Sequence, residues 1–126
     1  MALDVRSPRL FWRCASEHGE TDQRAYRIMA RNEAGETLWD SGRVASARST
    51  HIAYEGAPLS SRARVRWRVK LWDETDFEGE WSEQAGFEIG LISPSDWTAK
   101  WIAAPLVPSG KLRYPAGYFQ KSIRIR

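Results

Sequence analysis

Arg62-Ala-Arg-Val-Arg-Trp-Arg-Val-Lys-Leu-Trp72 is the stretch on which the fold turns. Arg62, Arg64, Arg66, Arg68 and Lys70 recur at period two, and Ala63, Val65, Trp67, Val69 and Leu71 fill the alternate positions. Consecutive side chains of a strand point to opposite faces, whereas a helix would spread these cations around its axis. The segment therefore reads as a strand with one wet face and one buried face.

Similar short segments flank it. Pro8–Cys14 is a candidate first strand, ended by the polar Glu17–Asp22 run. Ala25–Arg31 places Tyr26, Ile28 and Ala30 on one face, and Asn32–Gly35 turns the chain. Thr37–Gly42 and Thr50–Tyr54 are two further strands, and Glu55–Pro58 is another turn. Beyond the central strand, Asp73–Glu80 reads as an acidic hairpin tip. Ala85–Gly90 is the last strand, with Phe87 and Ile89 inward. About seven short strands at this turn spacing predict an all-β, antiparallel β-sandwich.

Composition agrees. The chain has 126 residues, 42% hydrophobic and 28% charged, which is ordinary for a folded domain and leaves no apolar run long enough to span a bilayer. One cysteine, Cys14, excludes an intramolecular disulfide and a four-cysteine zinc site. No membrane contact is expected, and no secretory leader is seen in the first residues, so a cytoplasmic location is the expectation. Residues 1–91 hold 13 Lys and Arg against 15 Asp and Glu, a net of −2, while residues 92–126 hold 6 against 1, a net of +5. A nucleic-acid-binding domain would carry its excess cations on the folded part, so no nucleic acid partner is expected.

That contrast places a domain boundary near residue 91, after a sandwich at 1–91; Pro105, Pro108 and Pro115 mark a linker at 92–117, and the alternation at 118–126 reads as the opening strand of a truncated second β-sandwich domain. In the linker, Ser93-Pro-Ser-Asp96 is suited to cap one helical turn. In the last segment, Phe119, Ile123 and Ile125 share a face. An uncovered edge strand is a template for pairing, so 118–126 is also a candidate homodimer contact.

Seven motifs, in order, resemble the N-terminal region of bacterial α-L-rhamnosidases of glycoside hydrolase family 78. They are Pro8-Arg-Leu-Phe-Trp12, Ala25-Tyr-Arg-Ile28, Leu38-Trp-Asp-Ser-Gly42, Trp67-Arg-Val-Lys-Leu-Trp-Asp73, Trp81-Ser-Glu83, Phe87-Glu-Ile-Gly90 and Asp96-Trp-Thr-Ala-Lys-Trp-Ile102. The resemblance implies an immunoglobulin/fibronectin type III-like sandwich that serves as an accessory part of a longer hydrolase and packs on its neighbouring domains. In that family the inverting hydrolysis of terminal rhamnosides belongs to a downstream helical barrel, so no catalytic position is carried onto this chain. One departure stands out. The tyrosine that usually closes a corner two residues before the central aromatic is here Val65, which leaves the connection at Pro58-Leu59 to be held by packing alone.

The remaining candidates are aromatic. Trp12 and Trp67 occupy core positions. Trp39, Trp72, Trp97 and Trp101 are candidates for a sugar-stacking platform, as in a carbohydrate-binding module, or for contacts with neighbouring domains, which is the expected use. Trp81 is expected to stack on Arg66 or Arg68. The acidic tip at Asp73, Glu74, Asp76, Glu78 and Glu80 lacks the spacing of a calcium loop, and no metal or cofactor is expected. Cys14 and His51 are too isolated to suggest a nucleophile and its base. An exposed apolar patch serving a protein partner is the third use such a module could have.

Overall fold

The computed structural model describes residues 2–14, 22–102 and 119–124. Its strands are β1 (Ala2–Leu3), β2 (Arg9–Leu10), β3 (Ala25–Asn32), β4 (Thr37–Asp40), β5 (Val44–Ala45), β6 (Ile52–Ala53), β7 (Arg64–Trp72) and β8 (Ala85–Ile89), followed by one 3-10 turn at Pro94–Asp96. They form the expected all-β two-layer body. The large sheet runs β1-β8-β7-β3-β4, with β5 also on β3, and the small sheet is β2 against β6.

The alternation in β7 is realised. Val65, Trp67 and Val69 are buried, and Arg64 and Arg66 are exposed. β3 lies antiparallel to β7 over eight residue pairs, from Ala25 opposite Trp72 to Asn32 opposite Val65. This register places Ile28 across from Val69 and Ala30 across from Trp67, so both strands turn their small and branched residues to the same layer. Leu10, Trp12, Ile52, Tyr54 and Leu59 close that layer from the other side. Ile28 and Ile89 are wholly buried, and each such side chain contributes about 1.5–3 kcal/mol relative to exposure.

Among the described residues one polar side chain, Gln23, is buried in this body. Gln23 accepts a hydrogen bond from Trp12 Nε1 at 2.8 Å and donates through Nε2 to the carbonyls of Ser46 at 2.8 Å and Arg48 at 3.0 Å. It thereby orients Trp12, whose ring meets Tyr26 edge to face at 5.1 Å. It also holds the 46–48 loop against the core.

Two serines replace backbone partners at strand edges. Ser41 Oγ accepts from the Ile28 N–H at 2.8 Å while its own N–H donates to the Ile28 carbonyl at 3.0 Å. Ser82 treats Val69 the same way, at 3.1 and 2.8 Å. Each satisfies both ladder groups where a strand neighbour ends.

Several sequence expectations are corrected. The segment Pro8–Cys14, expected as the first strand, is the second, β2, and spans only Arg9–Leu10, because its partner β6 is equally short. Left-handed backbone at His51 (φ 56°) breaks the Thr50–Tyr54 segment, leaving Ile52–Ala53. β1 pairs in parallel with β8, and β5 joins β3, neither of which was expected. Arg62, at φ 65°, lies before β7 and turns the chain, its N–H reaching the Ile89 carbonyl at 2.9 Å.

The connection at Pro58-Leu59 is not held by packing alone. Tyr54 Oη donates to the Ala57 carbonyl at 3.0 Å, and the Ala57 N–H donates to the Leu38 carbonyl at 2.8 Å. The corner that Val65 cannot close is closed by an earlier tyrosine. Gly56 makes this possible. A Cβ there would lie 2.5 Å from Tyr54 Oη, 2.5 Å from Trp39 Cβ and 2.6 Å from the Leu38 carbonyl oxygen.

The 3-10 turn arises where Ser93-Pro-Ser-Asp96 predicts a cap. The Asp96 carboxylate accepts from the Ser93 N–H at 2.9 Å and from the Ser61 hydroxyl, whose oxygen accepts from the Ile92 N–H at 2.9 Å. These bonds tie the start of the linker to the turn before β7, and the Ser61 hydrogen bond is the main cause that lowers the Asp96 pKa. Of the expected last strand, residues 119–124 are described and form no strand. Ile125 and the rest of 118–126 lie outside the described residues.

Candidate functional site

The outer face of the large sheet collects the basic stripe. Arg64 opposes Glu88 across β7 and β8 and also reaches Glu33, with N–O distances of 3.4 and 3.2 Å. Lys70 pairs with Glu78. On β3, Arg27 grips Asp40 through Nε at 2.9 Å and a terminal nitrogen at 2.6 Å, a two-pronged geometry. That fork, with the Gly42 N–H, holds the Asp40 carboxyl at a pKa of about 2 rather than 3.8. The same pairings raise the Arg27 and Arg64 pKa values. The stripe is thus laced with carboxylates rather than bare.

Trp81 reaches this face because Ser82, hydrogen-bonded to Val69, fixes its backbone beside β7. Its indole lies 4.5 Å from the Arg68 guanidinium carbon and 5.2 Å from Lys70 Nζ. Period-two spacing puts Arg68 and Lys70 side by side, which is what lets one ring serve both. Arg66 is elsewhere: it lies opposite Arg31 on β3, and its Cδ passes over Gly86.

The four candidate tryptophans divide into two inside and two outside. Trp39, opposite Ala30, faces the core and meets Tyr54 edge to face at 5.4 Å. Trp72, opposite Ala25, is on the other face of the sheet. It is buried, with the Arg43 guanidinium 5.2 Å from its ring. Trp39 and Trp72 therefore share no common surface. Trp97 is 58% exposed and Trp101 96% exposed, beside Ile102 at 70%. This places three large apolar side chains in water on the segment that leaves the sandwich.

The acidic tip organises itself. Asp73 Oδ1 accepts from Thr75 N–H and Oγ1 and from the Phe77 N–H, and Asp76 pairs with Arg43. Asp73 is held below the ordinary carboxylate pKa by the Thr75 hydroxyl first. Among the described residues no group of three metal-ligating side chains converges. Cys14 is exposed, with Sγ 3.5 Å from Gln23 Oε1, and partial burial raises its thiol pKa.

Sequence reasoning missed Gln23, Tyr54 and Asp40. Gln23 had no local signal, because its partners are Trp12 and two carbonyls more than twenty residues away. Tyr54 had one: a tyrosine two residues before glycine at a turn is placed to bond forward.

A concavity lies at the sheet edge. Tyr26 and Trp39 line it together with Asp40, Ser41, Arg48, His51 and Glu55.

The comparisons agree with this geometry. The family model described as Rha78A-like, N-terminal immunoglobulin domain matches residues 1–93. An α-L-rhamnosidase of Streptomyces avermitilis is 41% identical over 109 residues, covering 83% of this chain and 11% of its own length. One from Formosa agariphila is 39% identical over 110 residues, covering 83% and 12%. Among solved structures, the Streptomyces avermitilis α-L-rhamnosidase complexed with L-rhamnose superposes with a TM-score of 0.77 at 39% identity, covering 82% of this chain and 10% of that one. The Dictyoglumus thermophilum α-L-rhamnosidase gives 0.74 at 30%, covering 81% and 12%. The chain spans about a tenth of the length of the relatives it matches. The motif resemblance is borne out: the chain belongs to the Rha78A-like N-terminal immunoglobulin domain family, the immunoglobulin-like domain of α-L-rhamnosidases.

Proposed function

We propose that the chain is a non-catalytic accessory domain of a longer α-L-rhamnosidase-like hydrolase, and that it packs on the neighbouring domains through the segment at 97–102. The observation that carries this reading is the pairing of two facts. In matched relatives named α-L-rhamnosidase the matched region is only 11% and 12% of the length. The segment leaving the sandwich presents Trp97, Trp101 and Ile102 to water. Indoles that exposed lose the most free energy by staying in solvent, and a covering domain would recover it. The Ser61–Asp96 tie sets the direction in which that segment departs. Within the longer protein, hydrolysis of α-L-rhamnosides would fall to the other nine-tenths. The tail at 118–126 would then belong to the following domain, and pairing with a second copy through it is the outcome expected only when that domain is missing.

The test is direct. The 126-residue chain, incubated with p-nitrophenyl α-L-rhamnopyranoside, is expected to release nitrophenol no faster than buffer. Release at an enzymatic rate would overturn the reading. Replacing Trp101 with Arg is expected to lower the melting temperature of the longer protein and leave that of the isolated chain unchanged. Equal effects in both would remove the interdomain contact.

A further inference from the structure

The two sheets are unequal, and the mismatch leaves a cleft. β6 pairs only with β2, so nothing in the small sheet continues over the edge formed by β4 and β5. The resulting hollow, of about 590 Å³, is lined by Tyr26 and Trp39 with Asp40, Arg48, His51 and Glu55 among its polar groups. That volume falls within the roughly 300–1,000 Å³ of small-molecule sites.

Its chemistry is specific. Trp39 is an aromatic wall braced by Tyr54 at 5.4 Å, and the buried Tyr26 of the same lining is braced by Trp12 at 5.1 Å. The Asp40 carboxylate, which borders the hollow, is clamped on the outer face by Arg27 and the Gly42 N–H, three hydrogen bonds that immobilise it and leave about one acceptor position. Arg48 leans toward the His51 carbonyl at 3.4 Å, a long contact that leaves most of its donors available. His51 holds left-handed backbone at φ 56°, an arrangement that costs about 1–2 kcal/mol in a non-glycine residue and is over-represented at ligand sites. Acceptors at Asp40 and Glu55 are balanced by donors at Arg48 and His51, so neither an anion nor a cation is favoured outright. An aromatic wall flanked by donors and acceptors matches an apolar C–H face and the hydroxyl rim of a sugar ring.

We propose that this edge cleft binds one neutral pyranose, with Arg48 and Glu55 hydrogen-bonding its hydroxyls and Trp39 lining its apolar face. The site goes beyond the accessory role and can fail separately: rhamnoside cleavage by the chain would sink that role, and absence of binding would sink only this site.

The experiment is a ¹H–¹⁵N titration of the 126-residue chain with L-rhamnose, D-galactose and, as an anionic control, D-galacturonate. A neutral sugar is expected to give saturable shifts confined to residues 39–41 and 48–55, with a dissociation constant in the millimolar range, about −4 kcal/mol. Losing one charged hydrogen-bond partner is expected to weaken binding about tenfold in Arg48→Ala, and similarly in Glu55→Ala, with the melting temperature unchanged. The proposal is overturned by any of three outcomes: no saturation with either neutral sugar up to about 100 mM, shifts located elsewhere, or Arg48→Ala binding like the parent. Galacturonate binding as tightly as the neutral sugars would overturn the assignment of ligand class.

Discussion

Gly56→Ala tests the corner most sharply. The added methyl would stand 2.5 Å from both Tyr54 Oη and Trp39 Cβ and 2.6 Å from the Leu38 carbonyl oxygen. One of those neighbours is backbone and one is a Cβ, so neither can swing aside as a long side chain would. Overpacking of this kind costs about 1–3 kcal/mol. Moving Tyr54 away adds the loss of its hydrogen bond to Ala57, about 0.5–1.5 kcal/mol. The expected destabilisation is about 2–4 kcal/mol, or about 10–25 °C in melting temperature for a domain of this size. Urea unfolding followed by tryptophan fluorescence reads it directly, because Trp39 is one of the displaced residues. Tyr54→Phe alone is expected to cost about 0.5–1.5 kcal/mol. It also removes one of the three clashing atoms, so the double variant should be more stable than the two single effects add up to, by about 0.5 kcal/mol or more. A Gly56→Ala chain within about 0.5 kcal/mol of the parent, or strict additivity in the double variant, would refute the close-approach argument.

Three further outcomes are expected. Gln23→Ala should cost about 2–4 kcal/mol, since it strands the Trp12 indole N–H and two loop carbonyls, and Gln23→Glu should be worse at neutral pH because a carboxylate would face those carbonyls; denaturant titration checks both. Asp40 is held at a pKa of about 2 rather than 3.8, so its contribution is present above pH 3.8 and lost as pH falls toward 2. With Arg27 and Asp40 side chains 40% and 33% exposed, that contribution should be at most about 1 kcal/mol after screening, and Asp40→Asn should flatten the stability profile across that window. Trp81→Ala should cost about 1 kcal/mol, and a double-mutant cycle with Arg68→Ala should return a coupling of about 0.5–1 kcal/mol; zero coupling would mean the stack has no energetic weight.

The features legible in advance were those written at short range. The period-two pattern of 62–72 predicted which side of β7 would be wet, and the same spacing put Arg68 and Lys70 under one indole. Ser93-Pro-Ser-Asp96 announced its turn because the capping atoms lie within four residues. What was misread or missed depended on distant partners. Pro8–Cys14 looked like a full strand, but its length was set by β6, more than forty residues on. The corner was judged open at Val65 because the expected tyrosine was absent, while Tyr54 reached the same bend from before it. Trp72 looked available by spacing, yet Arg43 covers it.

By itself, then, the amino-acid order determined the class of fold and the inward or outward sense of each long strand, because alternation is a property of neighbouring residues. The tertiary structure alone decided that β1 lies parallel to β8, that Gln23 is buried and fully bonded, and that an edge cleft opens beside Trp39. Each depends on segments far apart in the chain meeting in one register, which no local pattern encodes. That register is set only when the whole apolar layer closes and every buried polar group finds a partner.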